Sequence, residues 1–170
     1  MKKFLLLLTA VVVVIIGCAR QAQGEFDKKA MDFIRSNEGV RKEAYLDTLG
    51  YWTIGVGHLI GRKLTLPIVL TDEQVEELFR RDYYIHLAEA KRNFPMFDDL
   101  NDEGKMVLVD MTFNLGGSKF NKDKWPNYYA ALEAGDWVGM SKSARDSLWC
   151  KQVKTRCDKI EALILKARYK

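Results

Sequence analysis

Glu38 and Asp47 stand nine residues apart, and a hydroxyl at Thr53 and an imidazole at His58 follow within the same short run. The full stretch reads Glu-Gly-Val-Arg-Lys-Glu-Ala-Tyr-Leu-Asp-Thr-Leu-Gly-Tyr-Trp-Thr-Ile-Gly-Val-Gly-His. A protonated carboxyl beside an ionised one is the pair that cleaves a glycosidic bond: one protonates the leaving oxygen, and the other activates water or attacks. Two isolated acids are more often solvated surface charges. The spacing becomes informative only through the elements that would hold the two groups.

Phe26, Ala30, Phe33 and Ile34 recur at helical spacing, and Gly39 is the expected stop. Glu38 then sits at a helix C-terminus, where the dipole disfavours a negative charge and favours the form a general acid needs. Residues 41 to 46 and 51 to 56 read as two short strands. Asp47-Thr48-Leu49-Gly50 between them has turn chemistry, with Asp first and Gly last. Asp47 is thereby placed at a wet hairpin tip as the ionised partner.

The order Glu-Gly, then Asp, then Gly-Tyr-Trp-Thr-Ile-Gly-Val-Gly-His resembles phage-type lysozymes, the muramidases typified by the T-even phage enzyme. The resemblance covers roughly residues 26 to 170. It implies an α+β, mainly helical, lysozyme-like fold. A small β-hairpin lobe would be joined by a long helix to a larger all-helical lobe, with the active-site cleft between them. It also implies hydrolysis of the β-1,4 bond between N-acetylmuramic acid and N-acetylglucosamine in peptidoglycan, by inversion. Glu38 is then the general acid, Asp47 the partner carboxylate, and Thr53 the hydroxyl that helps place the attacking water. For Thr53 the bland reading is a β-branched strand filler.

Other positions follow by the same resemblance. His58 ties the hairpin to the body by hydrogen bonding and takes no part in proton transfer. The run Trp149-Cys150-Lys151-Gln152-Val153-Lys154-Thr155-Arg156 matches a family segment in which the Arg pairs with the catalytic Glu. Arg156 is therefore expected to hold Glu38, against an alternative as an exposed base on the last helix. The chain departs from the family's usual Pro and Asn in that turn and carries Cys157 directly after Arg156. Leu59, Phe113 and Asn114 match positions lining the sugar cleft. Phe113 would stack on a sugar face or pack in the core, and Asn114 would bond an N-acetyl group.

At 170 residues the chain suits one domain with two lobes. Met1-Lys2-Lys3 is a basic start, Phe4 to Gly17 is almost wholly apolar, and Cys18-Ala19-Arg20 follows. This is the layout of a secretory signal, and it is too short for a comfortable membrane span of about 20 residues. Ile15-Ile16-Gly17-Cys18 resembles a bacterial lipobox, with Cys18 lipidated. The alternatives are cleavage elsewhere, near Gly24, or a signal anchor of the kind some phage lysozymes keep. Residues 1–24 are thus leader and linker and 25–170 the catalytic domain. Each reading exports the body to the periplasm, or to a membrane face turned toward the cell wall. Cys150 and Cys157 are an even pair in such a compartment, either disulfide-bonded or two buried thiols.

The formal charge is +4, and near +2 once Lys2 and Lys3 leave with the signal. That is too small, and too free of basic stripes, for nucleic acid. The expected partners are peptidoglycan and, through the leader, a membrane, with the body a monomer. The two histidines are distant and the cysteines lack ligand spacing, so neither metal nor other cofactor is expected.

Further along, Leu59 to Leu70 reads as irregular. Thr71-Asp72-Glu73-Gln74 is a capping box that opens a long helix ending before Pro95, so the lobe break falls near 71–95. Asn101, Pro126 and Asp136 mark later helix starts, and Gly116-Gly117 and Gly135 mark stops. Two rivals share the fold. A lytic transglycosylase needs one acid and no water-activating partner, and Asp47 with Thr53 argues against it. A non-catalytic wall-binding module is expected to lose one of the two carboxylates, and both are present.

Overall fold

The computed structural model describes residues 2–47 and 49–170, with side chains in the first helix described from Arg20 onward. The lipidation reading of Cys18 therefore falls outside the residues whose side chains are described. Helix α1 runs Lys2–Glu38, followed by strands β1 (Arg41–Leu46), β2 (Trp52–Gly55) and β3 (His58–Gly61). Then come α2 (Asp72–Asn93), a 3-10 turn at Pro95–Asp99, and α3 (Asp102–Leu115). Helices α4 (Pro126–Ala134), α5 (Trp137–Asp146), α6 (Leu148–Val153) and α7 (Thr155–Ile164) complete the chain.

Two expectations are corrected here. The hairpin is a three-stranded antiparallel sheet of order β1-β2-β3, because residues 58–61, read as His58 and the start of an irregular stretch, form a third strand. Gly55, Val56 and Gly57 make the intervening turn, with positive φ of 65° and 72° at the two glycines. A Gly-Val-Gly turn carries no Asn or Asp signal, so little in the local sequence marks the strand after it. Second, the polar stretch before Phe26 is helical and continuous with α1. Its side chains from Arg20 to Glu25 are exposed, and burial begins at Phe26.

Residues beyond β3 turn back along β1: Ala44 N–H donates to Ile68 O at 3.1 Å and Leu70 N–H to Lys42 O at 2.9 Å. The capping box at Thr71 is fully formed, with Gln74 as its reciprocal partner. α2 packs on β2 and β3 at one end and on α3 along its length, which makes it the link between lobes. α1 is fixed to α2 by Asp27, whose carboxylate accepts from the Tyr83 hydroxyl at 2.9 Å and from Tyr84 at 3.0 Å.

α3 is the core of the large lobe, with Val107, Leu108, Val109 and Met111 fully buried. α1 lies against it through Ala30 and Ile34, so this first helix belongs to the large lobe although the small lobe follows it in sequence. The chain terminus returns to the start of α3. Asn101 caps Gly104 N–H, accepts from Arg168 N–H and donates to Lys166 O, while Leu100 bridges Tyr169. Lys29 of α1 pairs with Asp102 at the same corner. From Arg20 onward, no described helix is long and apolar enough to cross a membrane.

Candidate active site

Glu38 is the last residue of α1, and Gly39 leaves the helix with φ 74°. Its carboxylate is held from the large lobe. The Arg156 guanidinium donates to Oε1, and Asn114 Nδ2 reaches the same oxygen at 3.2 Å. Oε2 faces the β2–β3 turn, where a Cβ added at Gly57 would stand 3.1 Å away. Glycine at 57 thus serves two needs, a left-handed backbone and room for the acid.

Arg156 is itself buried and shared. Nε donates to Asp110 Oδ2 at 2.8 Å and Nη2 to Oδ1 at 2.9 Å, a two-pronged grip that fixes the guanidinium plane. Asn37 adds a bond to Asp110 at 3.2 Å. Burial alone pulls the guanidinium down, but Asp110 and then Glu38 outweigh it and leave Arg156 above its ordinary value. Burial pushes the Asp110 carboxyl up, against the pull of Arg156 and Asn37. The two-pronged geometry with a permanent cation is that of an ionised Asp110.

The hairpin carries the other candidate residues. Asp47 Oδ1 accepts from Leu49 N–H and Tyr51 N–H, both at 2.8 Å, so the carboxylate organises its own turn. Thr53 lies in β2 opposite Tyr45 and is 6% exposed, with its hydroxyl 3.4 Å from Tyr51 O. That distance is too long to hold the hydroxyl strongly. His58 Nδ1 lies 2.7 Å from Asp82 Oδ2, which ties β3 to α2.

Leu59 on β3 is 57% exposed. Phe113 is half-buried, edge-on to Phe79 at 5.8 Å and to His86 at 5.0 Å. The amide of Asn114, expected to bond a sugar's N-acetyl group, is engaged at both ends: Trp149 Nε1–H donates to its oxygen at 2.7 Å and its nitrogen serves Glu38. Cys150 and Cys157 are joined as a disulfide between α6 and α7. Among the described residues no cluster of three His, Cys, Asp or Glu side chains is arranged for a metal.

Sequence reasoning missed Asp110, Asp82, Asn37 and the Trp149 hydrogen bond. Asp110 carried a usable signal, since an acid inside an otherwise apolar helix demands a buried cation. The others gave none before tertiary placement.

A family model described as Phage lysozyme matches residues 35–166. The chain is 34% identical, over 79% of its length, to the pre-baseplate central spike protein Gp5 of Enterobacteria phage T4, and spans 27% of that protein. It is 25% identical to the probable T4-type lysozyme 1 of Dictyostelium discoideum, over 78% of this chain and 91% of the relative. It is 30% identical to the endolysin of Acyrthosiphon pisum secondary endosymbiont phage 1, over 67% and 73% of the two chains. With a mainly helical body, a small antiparallel sheet and Glu38 at the end of the first helix, the chain belongs to the phage lysozyme family.

Proposed function

We propose that this protein is a lysozyme that hydrolyses the β-1,4 bond between N-acetylmuramic acid and N-acetylglucosamine in bacterial peptidoglycan. The observation that carries this reading is the fixed position of Glu38, gripped by Arg156 and Asn114 on one oxygen and facing the hairpin lobe with the other. Glu38 protonates the glycosidic oxygen as the bond to the anomeric carbon breaks. A water placed by Asp47 and Thr53 attacks the opposite face, and Asp47 takes its proton. The leaving sugar departs as an alcohol and the anomeric centre inverts. We further propose that the leader exports the body to the periplasm or holds it on a membrane facing the wall, through Cys18 if that residue is lipidated.

The test is digestion of purified peptidoglycan, following released reducing ends, fragment masses and the anomeric proton by NMR. The expected result is new reducing ends appearing first as the α anomer. Soluble fragments without reducing ends would overturn hydrolysis in favour of transglycosylation. Initial β product would overturn inversion and make Asp47 a nucleophile.

A further inference from the structure

Both side chains that converge on Oε1 of Glu38 are controlled from residues adjacent to a half-cystine. Arg156 precedes Cys157, and Trp149, which orients Asn114, precedes Cys150. The disulfide joins two residues seven apart in sequence, with their Cα atoms 5.1 Å apart. The side chains at this corner are held by the Trp149–Asn114 bond and the Arg156–Asp110 grip, but its backbone is short. α6 is six residues long, capped by Ser147, and well below the length at which a helix holds itself. It ends at Lys154, whose φ of 39° is the only positive value at a non-glycine among the described residues. Such a backbone persists only where its surroundings impose it.

Resting on the hydrolase reading above, we propose that the Cys150–Cys157 bridge is a positioning device for Glu38, so that the general acid is correctly aimed only in the oxidised chain. The buried Ile160 and Ile164 keep α7 in the core whether or not the bridge is closed. What reduction frees is the corner: Lys154 relaxes, Trp149 and Arg156 lose their fixed spacing, and Asn114 loses its orienting donor. Formation balances by thiol–disulfide exchange. One thiolate attacks the disulfide of an exported thiol oxidoreductase to give a mixed disulfide. The second thiolate displaces the carrier, which leaves as a dithiol carrying the two electrons and two protons. A chain made in a reducing cytoplasm is then folded but poorly active, and gains activity on entering an oxidising compartment.

The test compares three full-length proteins on purified peptidoglycan: oxidised wild type, wild type with Cys150 and Cys157 both reduced to thiols as verified by peptide mass after alkylation, and Cys150→Ala/Cys157→Ala. Expected is a retained far-ultraviolet circular dichroism spectrum and a kcat reduced about tenfold to a hundredfold, the cost of a small misplacement, with KM little changed. Reoxidation restores the wild type, and reductant leaves the double variant unaffected. A second readout needs no activity. The Trp149 indole N–H resonance, one of four and assigned with Trp149→Phe, shifts on reduction. Full kcat in the reduced chain or an unmoved indole resonance overturns the proposal. A reduced chain that is unfolded even in the cold also overturns it, leaving a bridge that acts only on stability. An oxidised wild type that is inactive fails the hydrolase reading instead, while the indole resonance still decides whether the bridge positions Trp149.

Discussion

Glu38 is reached from three directions by groups distant in sequence: Arg156, Asn114 and the Gly57 turn. Removing its proton while keeping its shape isolates the chemistry. Glu38→Gln should lose about two to four orders of magnitude in turnover and keep its melting temperature, because Arg156 still has Asp110. Near-wild-type turnover in a folded Glu38→Gln protein would refute the assignment. Arg156 carries a second role. Arg156→Met strands the Asp110 carboxylate, whose side chain is fully buried, and should cost about 3–5 kcal/mol in urea denaturation. A loss below about 1 kcal/mol would mean that Asp110 is neutral or hydrated without its partner. The sequence made the Glu38–Arg156 contact readable because one residue sits at a helix end and the other in a matched motif. It did not show Asp110 as the anchor of Arg156, since the pairing of a buried charge is fixed only by tertiary placement.

The elements were legible where local chemistry writes their ends. The capping box at Thr71, Asn101 before α3, Pro126 in α4 and Gly135 after it stand where the sequence puts them. β3 was not, because its four residues depend on pairing with β2. The turn between those strands gives the next prediction. Gly57→Ala forces a side chain into a left-handed backbone and against Glu38 Oε2, so it should lower stability by about 1–2 kcal/mol and kcat by more than that loss explains. Unchanged kcat would show that the turn yields without moving the acid. In α4, the Tyr128 hydroxyl is buried with no hydrogen-bond partner. Tyr128→Phe should leave stability unchanged or raise it by about 1 kcal/mol, read from thermal melts. A clear loss would reveal a bound water at that oxygen.

At the scale of the molecule, pH acts through buried phenols. Burial first, then the bond to Asp27, pushes the Tyr83 hydroxyl up, and burial alone pushes up Tyr128. Both groups hold their protons more tightly in the folded chain than in the unfolded one. The stability they contribute is therefore whole below about pH 10, the unfolded value, and is lost as pH rises beyond it. Denaturation midpoints at about pH 9 and about pH 11 should show the fall, and a flat profile would mean that these phenols ionise as freely in the folded state.

The corner where Asn101 gathers the C-terminal residues also receives α1 through Lys29 and Asp102, so α1 and the last residues meet at one place. The large lobe is interrupted in sequence only because α1 is written before the sheet. A circular permutant that opens the chain after Leu70 and carries α1 behind Lys170 on a flexible linker would make that lobe contiguous. The Glu38–Arg156 contact would then span a shorter loop, but contacts of α2 with the sheet and with α1, such as Asp82 with His58 and Tyr83 with Asp27, would span most of the chain, so stopped-flow refolding should be slower than in the natural order.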